Sequence, residues 1–265
     1  MNTVFSIVID HPNARYARQA AQAAFAEIDR TESKLSQFVE GNDISRLNRS
    51  RPNQPTRLGL DAFNCLLRAK GLHEVTNGSF DPSFGTGMNT LEFDRETGNV
   101  TKRNAQTDID LGGIGKGYTL DQLAEVFPDW ELTRLCADGG GSTVLALDSP
   151  TDLRGWPIGL GTGDGSFTIA LHRASISGSG TPTQGEHIFV SAQPGRQLNN
   201  RRCWAFSRFA TESDGLSTAL MTLPLDAIKT VYDSQPEAAA IVEKYVSGTT
   251  VRRYFSHPAF RLNTS

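Results

Sequence analysis

One lysine lies inside the densest glycine cluster of the chain. The segment reads Asp110-Leu-Gly-Gly-Ile-Gly-Lys-Gly-Tyr-Thr-Leu-Asp121 and contains Lys116, one of six lysines among 26 basic residues. It joins a predicted strand to a predicted helix, where backbone N–H groups and a helix N-terminus favour an anion. Gly113, Gly115 and Gly117 would let the backbone approach a phosphate, and Lys116 would add a positive charge. The same glycines also suit a tight strand-to-helix turn, so glycine chemistry alone leaves both interpretations open.

Neither of two common nucleotide-binding motifs accounts for this segment. A Walker A motif ending at Gly115-Lys116 requires Gly at position 110 and Ser or Thr at 117, where the chain has Asp110 and Gly117. The spacing of Gly113, Gly115 and Gly117 also differs from the G-x-G-x-x-G fingerprint of dinucleotide-binding folds.

A carboxylate and a hydroxyl recur four residues apart in a predicted helix over residues 211–223. Asp214 and Thr218 would therefore share one helix face. Oxygen ligands of this kind suit Mg²⁺, whose coordination is commonly completed by substrate phosphates. In the alternative interpretation, Asp214 caps the helix and Thr218 packs nearby.

Two other polar clusters follow predicted strands. Asp138-Gly-Gly-Gly-Ser142 is typical of a turn or bulge. Ser175-Ile-Ser-Gly-Ser-Gly180 combines hydroxyls with flexible backbone, so that Ser177 and Gly178 could line the same anion. His187 is the histidine nearest to this second cluster, although a lone histidine at a strand start is structural more often than chemical.

Composition limits the possible partners. The chain has 265 residues, 38% of them hydrophobic, and a formal net charge of −3, which favours a folded protein and argues against nucleic acid or an anionic membrane as partner. Three separated cysteines without a CxxC motif indicate neither a zinc site nor a disulfide framework. No stretch approaches the ~20 apolar residues of a membrane span. The first residues lack the features of a signal peptide, so we expect a cytoplasmic protein, or a periplasmic one if an export signal was trimmed.

The elements that would position these residues alternate without a regular βαβ rhythm. This pattern favours a single α+β domain over residues 1–265, with mixed or antiparallel sheets and packed helices. The predicted helices span residues 13–38, 43–48, 60–75, 118–127, 211–223 and 225–233. The predicted strands span residues 3–9, 91–95, 99–103, 107–111, 132–137, 143–147, 167–172, 174–177, 187–190, 204–209, 238–245 and 251–255.

Taken together, these motifs resemble those of the FAD:protein FMN transferase (ApbE) family. Residues 110–121 are similar to the family signature D-L-G-G-I-x-K-G-Y-x-x-D. Five further matches follow the family's order: Leu35-Ser-Gln-Phe38, Asn42-Asp-Ile-Ser-Arg-Leu-Asn48, Gly78-Ser-Phe-Asp-Pro82, Asp138-Gly-Gly-Gly141 and Asp214-Gly-Leu-Ser-Thr-Ala219. The matches cover most of the chain up to about residue 220.

The resemblance implies a T-fold-like domain that binds FAD with Mg²⁺ and moves FMN onto a Thr or Ser of an acceptor flavoprotein, with release of AMP. In that assignment Asp214 and Thr218 hold the metal together with a backbone carbonyl, for which Gly113 is preferred over Gly115. His187 matches the family's general base toward the acceptor hydroxyl. The remaining residues assigned to FAD are Lys116 on the phosphates, Phe38 stacked on a ring, Asp121 on a sugar or base, and Asp81, Gly113, Gly115, Ser177 and Gly178 around the cofactor.

The chain departs from the family pattern on the acceptor side. Family members usually read H-I-x-D-P-x-T-G, whereas this chain reads His187-Ile-Phe-Val-Ser-Ala-Gln-Pro-Gly195 and lacks the Asp-Pro pair. The stretch over residues 85–110 is also shorter than usual, so the chain resembles a shortened and diverged member. An FAD-binding protein or an FAD pyrophosphatase that has lost acceptor transfer is therefore the alternative interpretation.

Overall fold

The computed structural model describes residues 3–161, 166–180, 201–246 and 249–257. The six helices of these residues are α1 (Ala14–Leu35), α2 (Asp43–Arg49), α3 (Leu60–Val75), α4 (Gly115–Ala124), α5 (Ala210–Leu220) and α6 (Leu225–Asp233). Their strands are β1 (Phe5–Ile9), β2 (Thr56–Arg57), β3 (Leu91–Asp94), β4 (Asn99–Lys102), β5 (Leu135–Gly139), β6 (Thr143–Ala146), β7 (Trp156–Leu160), β8 (Phe167–Leu171), β9 (Ala174–Gly180), β10 (Arg201–Ser207), β11 (Ala239–Val246) and β12 (Thr249–Ser256). The α+β class is confirmed.

A seven-stranded sheet organises the molecule. Its strand order is β1-β5-β6-β9-β10-β11-β12, and every neighbouring pair is antiparallel. Helices α1, α4 and α5 lie against one face, while the hairpin β7-β8 covers part of the other face through Trp156 and Leu171. The short sheet β2-β4-β3 lies beside α3, where Phe93 packs edge-on against Phe63. The two faces of the large sheet therefore pack against different clusters of buried hydrophobic residues.

The long first helix shows why local sequence signals succeed. Asn13 accepts a hydrogen bond from the backbone N–H of Tyr16 and so caps α1. The helix was predicted to reach about residue 38 but ends at Leu35, where the Asn42 amide donates to the carbonyl of Ser33 in its last turn and to that of Ser36 just beyond it. The oxygen of the same amide accepts from the N–H of Ser45 and caps α2. One side chain thus ends one helix and begins the next.

The strand predicted over residues 107–111 is wrong. This segment forms no strand, and the side chain of Asn48 makes the backbone hydrogen bonds that a neighbouring strand would otherwise make to Ile109. Its amide nitrogen donates to the Ile109 carbonyl at 2.9 Å, and its oxygen accepts the Ile109 N–H at 2.8 Å. The buried ammonium of Lys102 donates to the carbonyls of Asn48 and Thr107, which fixes both partners. The segment therefore leads into the glycine cluster along a fixed path.

Two further differences separate prediction and structure. Helix α4 begins at Gly115 rather than at residue 118, so the glycines form its first turn. Strand β7 was not predicted, since it contains Pro157 and Gly159. Among the described residues it pairs with β8 alone, and an edge strand tolerates proline. The strand predicted over residues 187–190 lies outside the described residues.

Candidate functional site

The first turn of α4 touches the backbone of α5. The N–H of Gly117 donates to Oδ2 of Asp214 at 3.0 Å, a contact between residues 97 positions apart in the chain. A Cβ atom at Gly117 would lie 2.1 Å from the carbonyl oxygen of Ala210. Only glycine permits this approach, because real Cβ contacts begin near 3.0 Å. The glycine cluster therefore brings two helices together at the point where the charged residues lie.

The carboxylate of Asp214 is the centre of a buried polar network. Its side chain is 4% exposed, and its Oδ1 lies 3.2 Å from Nζ of Lys116. The hydroxyl of Thr143 donates to the same oxygen at 3.2 Å, and that of Ser177 at 3.4 Å. Such a buried carboxylate requires charge compensation, which Lys116 supplies here. The structure thus joins three of the predicted site residues, Lys116, Ser177 and Asp214.

Thr218 lies one turn beyond Asp214 on α5, as predicted, and adjoins the glycine loop. A Cβ placed on Gly113 would be 3.3 Å from Oγ1 of Thr218. The Thr218 hydroxyl donates weakly to the Asp214 carbonyl at 3.3 Å. Asp214 does not cap α5, because it belongs to the second turn of that helix. The capping alternative for Asp214 is therefore wrong, while the shared helix face is confirmed.

Lys116 contacts a turn that lines an open cavity. Its Nζ also donates to the Gly112 carbonyl at 3.4 Å, and its Cδ would lie 3.7 Å from a Cβ on Gly140. Gly140 has a φ of +72° and belongs to the turn between β5 and β6, whose Asp138 carboxylate accepts the N–H of Gly141 at 2.6 Å. The turn predicted for this second glycine cluster is confirmed.

The cavity has a volume of about 500 Å³ and lies between the large sheet and the hairpin β7-β8. Gly140 and Asp138 form one end, while Gly178, Trp204 and Arg202 line the sheet side. Neighbouring residues of a strand face opposite sides of the sheet, so Ser177 and Gly178, which were predicted to line the same anion, lie on different faces. Ser177 faces α5 and Asp214, whereas Gly178 lines the cavity.

Asp121 caps the N-terminus of α5 rather than facing the cavity beside Lys116. Its two oxygens accept the N–H groups of Ala210 at 2.8 Å and of Thr211 at 2.9 Å, which caps the N-terminus of α5. Burial raises the pKa of this carboxyl, although the hydrogen bonds from Thr211 and Ala210 act in the opposite direction. Both oxygens are engaged within the protein, so contact with a nucleotide stays a prediction.

Asp81 is likewise engaged with backbone groups. Its oxygens accept the N–H groups of Ser83 and Gly85, each at 2.8 Å, and the Ser83 hydroxyl at 2.6 Å. It lies 3.8 Å from Nδ1 of His73 and lines a cavity of about 280 Å³ that is separate from the one beside Lys116. These contacts shape the loop that leads into β3, and cofactor contact by Asp81 stays a prediction.

Phe38 and His187 are not joined to this cluster either. Phe38 lies between α1 and α2 with 86% of its surface exposed, and its stacking on a ring of FAD stays a prediction. His187 lies outside the described residues, so its role as a general base stays a prediction. Sequence reasoning missed Thr143, which follows the second glycine cluster directly and contacts Asp214; that position was its one visible signal.

The donor set fits magnesium better than a transition metal. The described residues contain no group of three His, Cys, Asp or Glu side chains placed to hold a metal ion. The available donors are oxygens: the Asp214 carboxylate, the Thr218 hydroxyl and the Gly113 carbonyl. Mg²⁺ prefers oxygen ligands and often uses one or two carboxylates with substrate phosphates. These residues would therefore fit Mg²⁺ if Lys116 exchanged its contact with Asp214 for an anion.

Comparison with known sequences decides the family. The profile described as the ApbE family matches residues 1–100 and 85–242. The chain belongs to the ApbE family. ApbE relatives named FAD:protein FMN transferase include one from Chlamydia muridarum, 24% identical over 197 residues that cover 64% of this chain and 60% of that protein. Another, from Haemophilus influenzae, is 20% identical over 266 residues, covering 82% of this chain and 76% of the relative.

Solved ApbE structures share the fold. The flavin transferase ApbE from Vibrio cholerae superposes with a TM-score of 0.85 at 17% identity, covering 97% of this chain and 94% of that one. The ApbE protein of Thermotoga maritima gives a TM-score of 0.75 at 22% identity, with 90% of each chain covered. Within the described parts of this ApbE chain, no helix is long and apolar enough to cross a membrane.

Proposed function

We propose that this protein is a transferase that moves FMN from FAD to a Thr or Ser hydroxyl of an acceptor flavoprotein and releases AMP. The observation that carries the proposal is the buried contact between Lys116 and Asp214 at 3.2 Å, next to a cavity of about 500 Å³. Membership of the ApbE family and relatives named FAD:protein FMN transferase support it. The chain spans 60% and 76% of the two relatives described, so their activity is carried over as a proposal.

Phosphoryl transfer depends on positioning and charge neutralisation more than on covalent participation by the protein. Lys116, at the positively polarised N-terminus of α4, would bind the pyrophosphate of FAD. Asp214, Thr218 and the Gly113 carbonyl would hold Mg²⁺, which supplies further positive charge to the transferred phosphoryl group when bound. Lys116 is 16% exposed and its Cδ adjoins Gly140, which lines the cavity, so the proposed function requires its ammonium to exchange Asp214 for a phosphate.

The acceptor side favours a second candidate function. The Asp-Pro pair that family members usually carry after His-Ile is missing after His187-Ile188, so the acceptor side departs from the family pattern. A protein that binds FAD and cleaves it with water, without transfer to an acceptor, would be an FAD pyrophosphatase that releases FMN and AMP. A protein that binds FAD without turnover is the remaining form of this alternative.

One assay separates these functions. The protein is incubated with FAD, Mg²⁺ and candidate acceptor flavoproteins, and AMP release and in-gel flavin fluorescence after denaturation are both measured. A fluorescent acceptor band with AMP supports transfer, and AMP without a band supports the pyrophosphatase. Tight FAD binding without either product supports a binding protein, and absence of all three contradicts every flavin function.

A variant pair tests the metal assignment within the same assay. Asp214→Asn should abolish AMP release, while FAD binding weakens less, because the variant removes the predicted metal ligand and leaves the glycine loop in place. Asp226→Asn, at an exposed aspartate in the first turn of α6, is the matched control and should behave as the parent protein. Unchanged activity of Asp214→Asn would refute the metal site.

A further inference from the structure

Three groups converge on one oxygen of the Asp214 carboxylate. Nζ of Lys116 and Oγ1 of Thr143 each lie 3.2 Å from Oδ1, and the Ser177 hydroxyl lies 3.4 Å from it. The other oxygen, Oδ2, accepts the N–H of Gly117 at 3.0 Å. In the proposed function Lys116 exchanges this contact for a phosphate. The hydroxyls of Thr143 and Ser177 then remain on Oδ1 and hold that side of the carboxylate.

The large sheet places these two hydroxyls side by side. Thr143 begins β6 and lies directly opposite Ser177 of β9 in the strand register, with 2.9 Å between their hydroxyl oxygens. Both residues are buried, at 0% and 1% exposure, and both face Asp214 on α5. Their hydrogen bonds to the carboxylate therefore form inside the protein, where water does not compete for it.

The two hydroxyls are not equivalent as donors to Asp214. An ionised carboxylate only accepts hydrogen bonds, and each hydroxyl donates a single proton. Thr143 is closer to Oδ1 than Ser177 is, at 3.2 Å against 3.4 Å. When Thr143 donates to Asp214, its oxygen can accept the Ser177 proton over 2.9 Å. The hydrogen bonds are thus satisfied with Thr143 on the carboxylate and Ser177 supporting Thr143.

Thr143 is also the more rigid of the two side chains. A β-branched side chain has few χ1 rotamers, whereas the serine side chain rotates more freely. Ser177 is further engaged by the hydroxyl of Ser217, which donates to it at 3.2 Å. Thr143 therefore offers Asp214 a donor whose position strand β6 fixes.

Hydrogen bonds to a carboxylate that binds a metal fix its orientation, and loss of such a partner lowers metal affinity by about 10–100-fold. We propose that Thr143 is the positioning residue for Asp214 and holds Oδ1 in the orientation that binds Mg²⁺ once Lys116 has left it. Thr143 acts through Asp214 and is not itself a ligand. This inference rests on the proposed function, because it takes Asp214 as a ligand of Mg²⁺.

Mg²⁺ binding in the absence of FAD tests this role. Lys116→Met removes the cation that competes for Asp214, and the dissociation constant of Mg²⁺ is measured by calorimetry in this background. Thr143→Val and Thr143→Ala both remove the hydroxyl, whereas Thr143→Ser keeps it. Ser175→Ala is the matched control, because the buried Ser175 hydroxyl, on the same face of β9 as Ser177, donates to the Ser207 carbonyl at 2.9 Å. Circular dichroism and the melting temperature check that each variant folds.

We expect Thr143→Val and Thr143→Ala to raise the dissociation constant of Mg²⁺ by about tenfold, and Thr143→Ser to restore most of the affinity. Ser175→Ala should lower the melting temperature and leave the Mg²⁺ affinity unchanged, because a purely structural hydroxyl affects stability alone. Unchanged affinity in both variants that lack the Thr143 hydroxyl, or an equal loss in Ser175→Ala, would overturn the inference and leave the metal site in place. Absence of Mg²⁺ binding by Lys116→Met would overturn both the inference and the metal assignment, while AMP release and acceptor labelling by the parent protein test the transfer separately.

Discussion

Replacement of Gly117 by alanine tests whether the glycine cluster serves helix packing. The added methyl would lie 2.1 Å from the Ala210 carbonyl oxygen and 2.8 Å from the Thr211 Cα, both of them backbone atoms that no rotamer change can move. Carbon contacts are optimal at ~3.5–4.0 Å, so α4 and α5 must separate by more than ~1 Å. That movement also lengthens the 3.0 Å hydrogen bond from Gly117 to the buried Asp214 carboxylate.

The expected cost follows from these two effects. Overpacking of a close contact costs about 1–3 kcal/mol, and a hydrogen bond to a charged group contributes about 1.5–3 kcal/mol. Alanine regains up to ~1 kcal/mol of helix propensity. We therefore expect Gly117→Ala to lower the free energy of unfolding by about 3 kcal/mol, measured by urea denaturation of the protein without ligand.

Two other helix glycines supply matched controls. Gly71 in α3 has no atom within 4 Å of its missing Cβ, so Gly71→Ala should be neutral or stabilising by up to ~1 kcal/mol. Gly215 in α5 would meet the terminal Cδ1 of Leu72 at 2.5 Å, and that flexible group can move. The loss of stability should increase from Gly71→Ala through Gly215→Ala to Gly117→Ala. Equal stability of Gly71→Ala and Gly117→Ala would refute the packing argument.

Three further predictions concern stability. Asn48→Ala removes both hydrogen bonds to Ile109 and should cost about 1–3 kcal/mol in urea denaturation; an unchanged midpoint would contradict the role of that amide. Lys116→Met leaves Asp214 without its cation, so Mg²⁺ should raise the melting temperature of the variant more than that of the parent; equal shifts would argue against metal binding at Asp214. Burial and, to a smaller extent, the negative charge of Asp138 raise the pKa of the Cys136 thiol from 9.0 to about 12. As the pH rises, the thiol therefore loses its proton at a lower pH in the unfolded chain than in the folded protein. The free energy of unfolding should therefore fall between pH 9 and 12, at most ~1.4 kcal/mol per pH unit from this thiol, and Cys136→Ala should flatten the slope; an identical slope would show that the thiol does not contribute.

Local signals predicted the helices well. Asn13 and Asn42 cap α1 and α2 as their residue types suggest, and the apolar periodicity of residues 60–75 gave both ends of α3. These successes share one cause, because caps and amphipathic faces depend on residues within a few positions. The α+β class followed from the order of the elements alone.

The failures depend on partners far along the chain. Residues 107–111 have the composition of a strand, but their hydrogen-bonding partner is the Asn48 side chain, and no local pattern shows that. Ser177 and Gly178 were placed on one anion, although the register of β9 turns them to opposite faces.

The glycine cluster shows why a motif can be recognised and still be misinterpreted. Its spacing left a phosphate cradle and a tight turn as alternatives, yet Gly117 meets a third requirement, the close approach of α5. These purposes differ in what they predict for the protein without ligand. If the glycine were needed only to bind a phosphate, its substitution would weaken FAD binding and leave the stability of the ligand-free protein equal to that of the parent. A glycine needed for the contact between α4 and α5 lowers the stability with or without FAD, because the substitution strains the backbone of the protein itself.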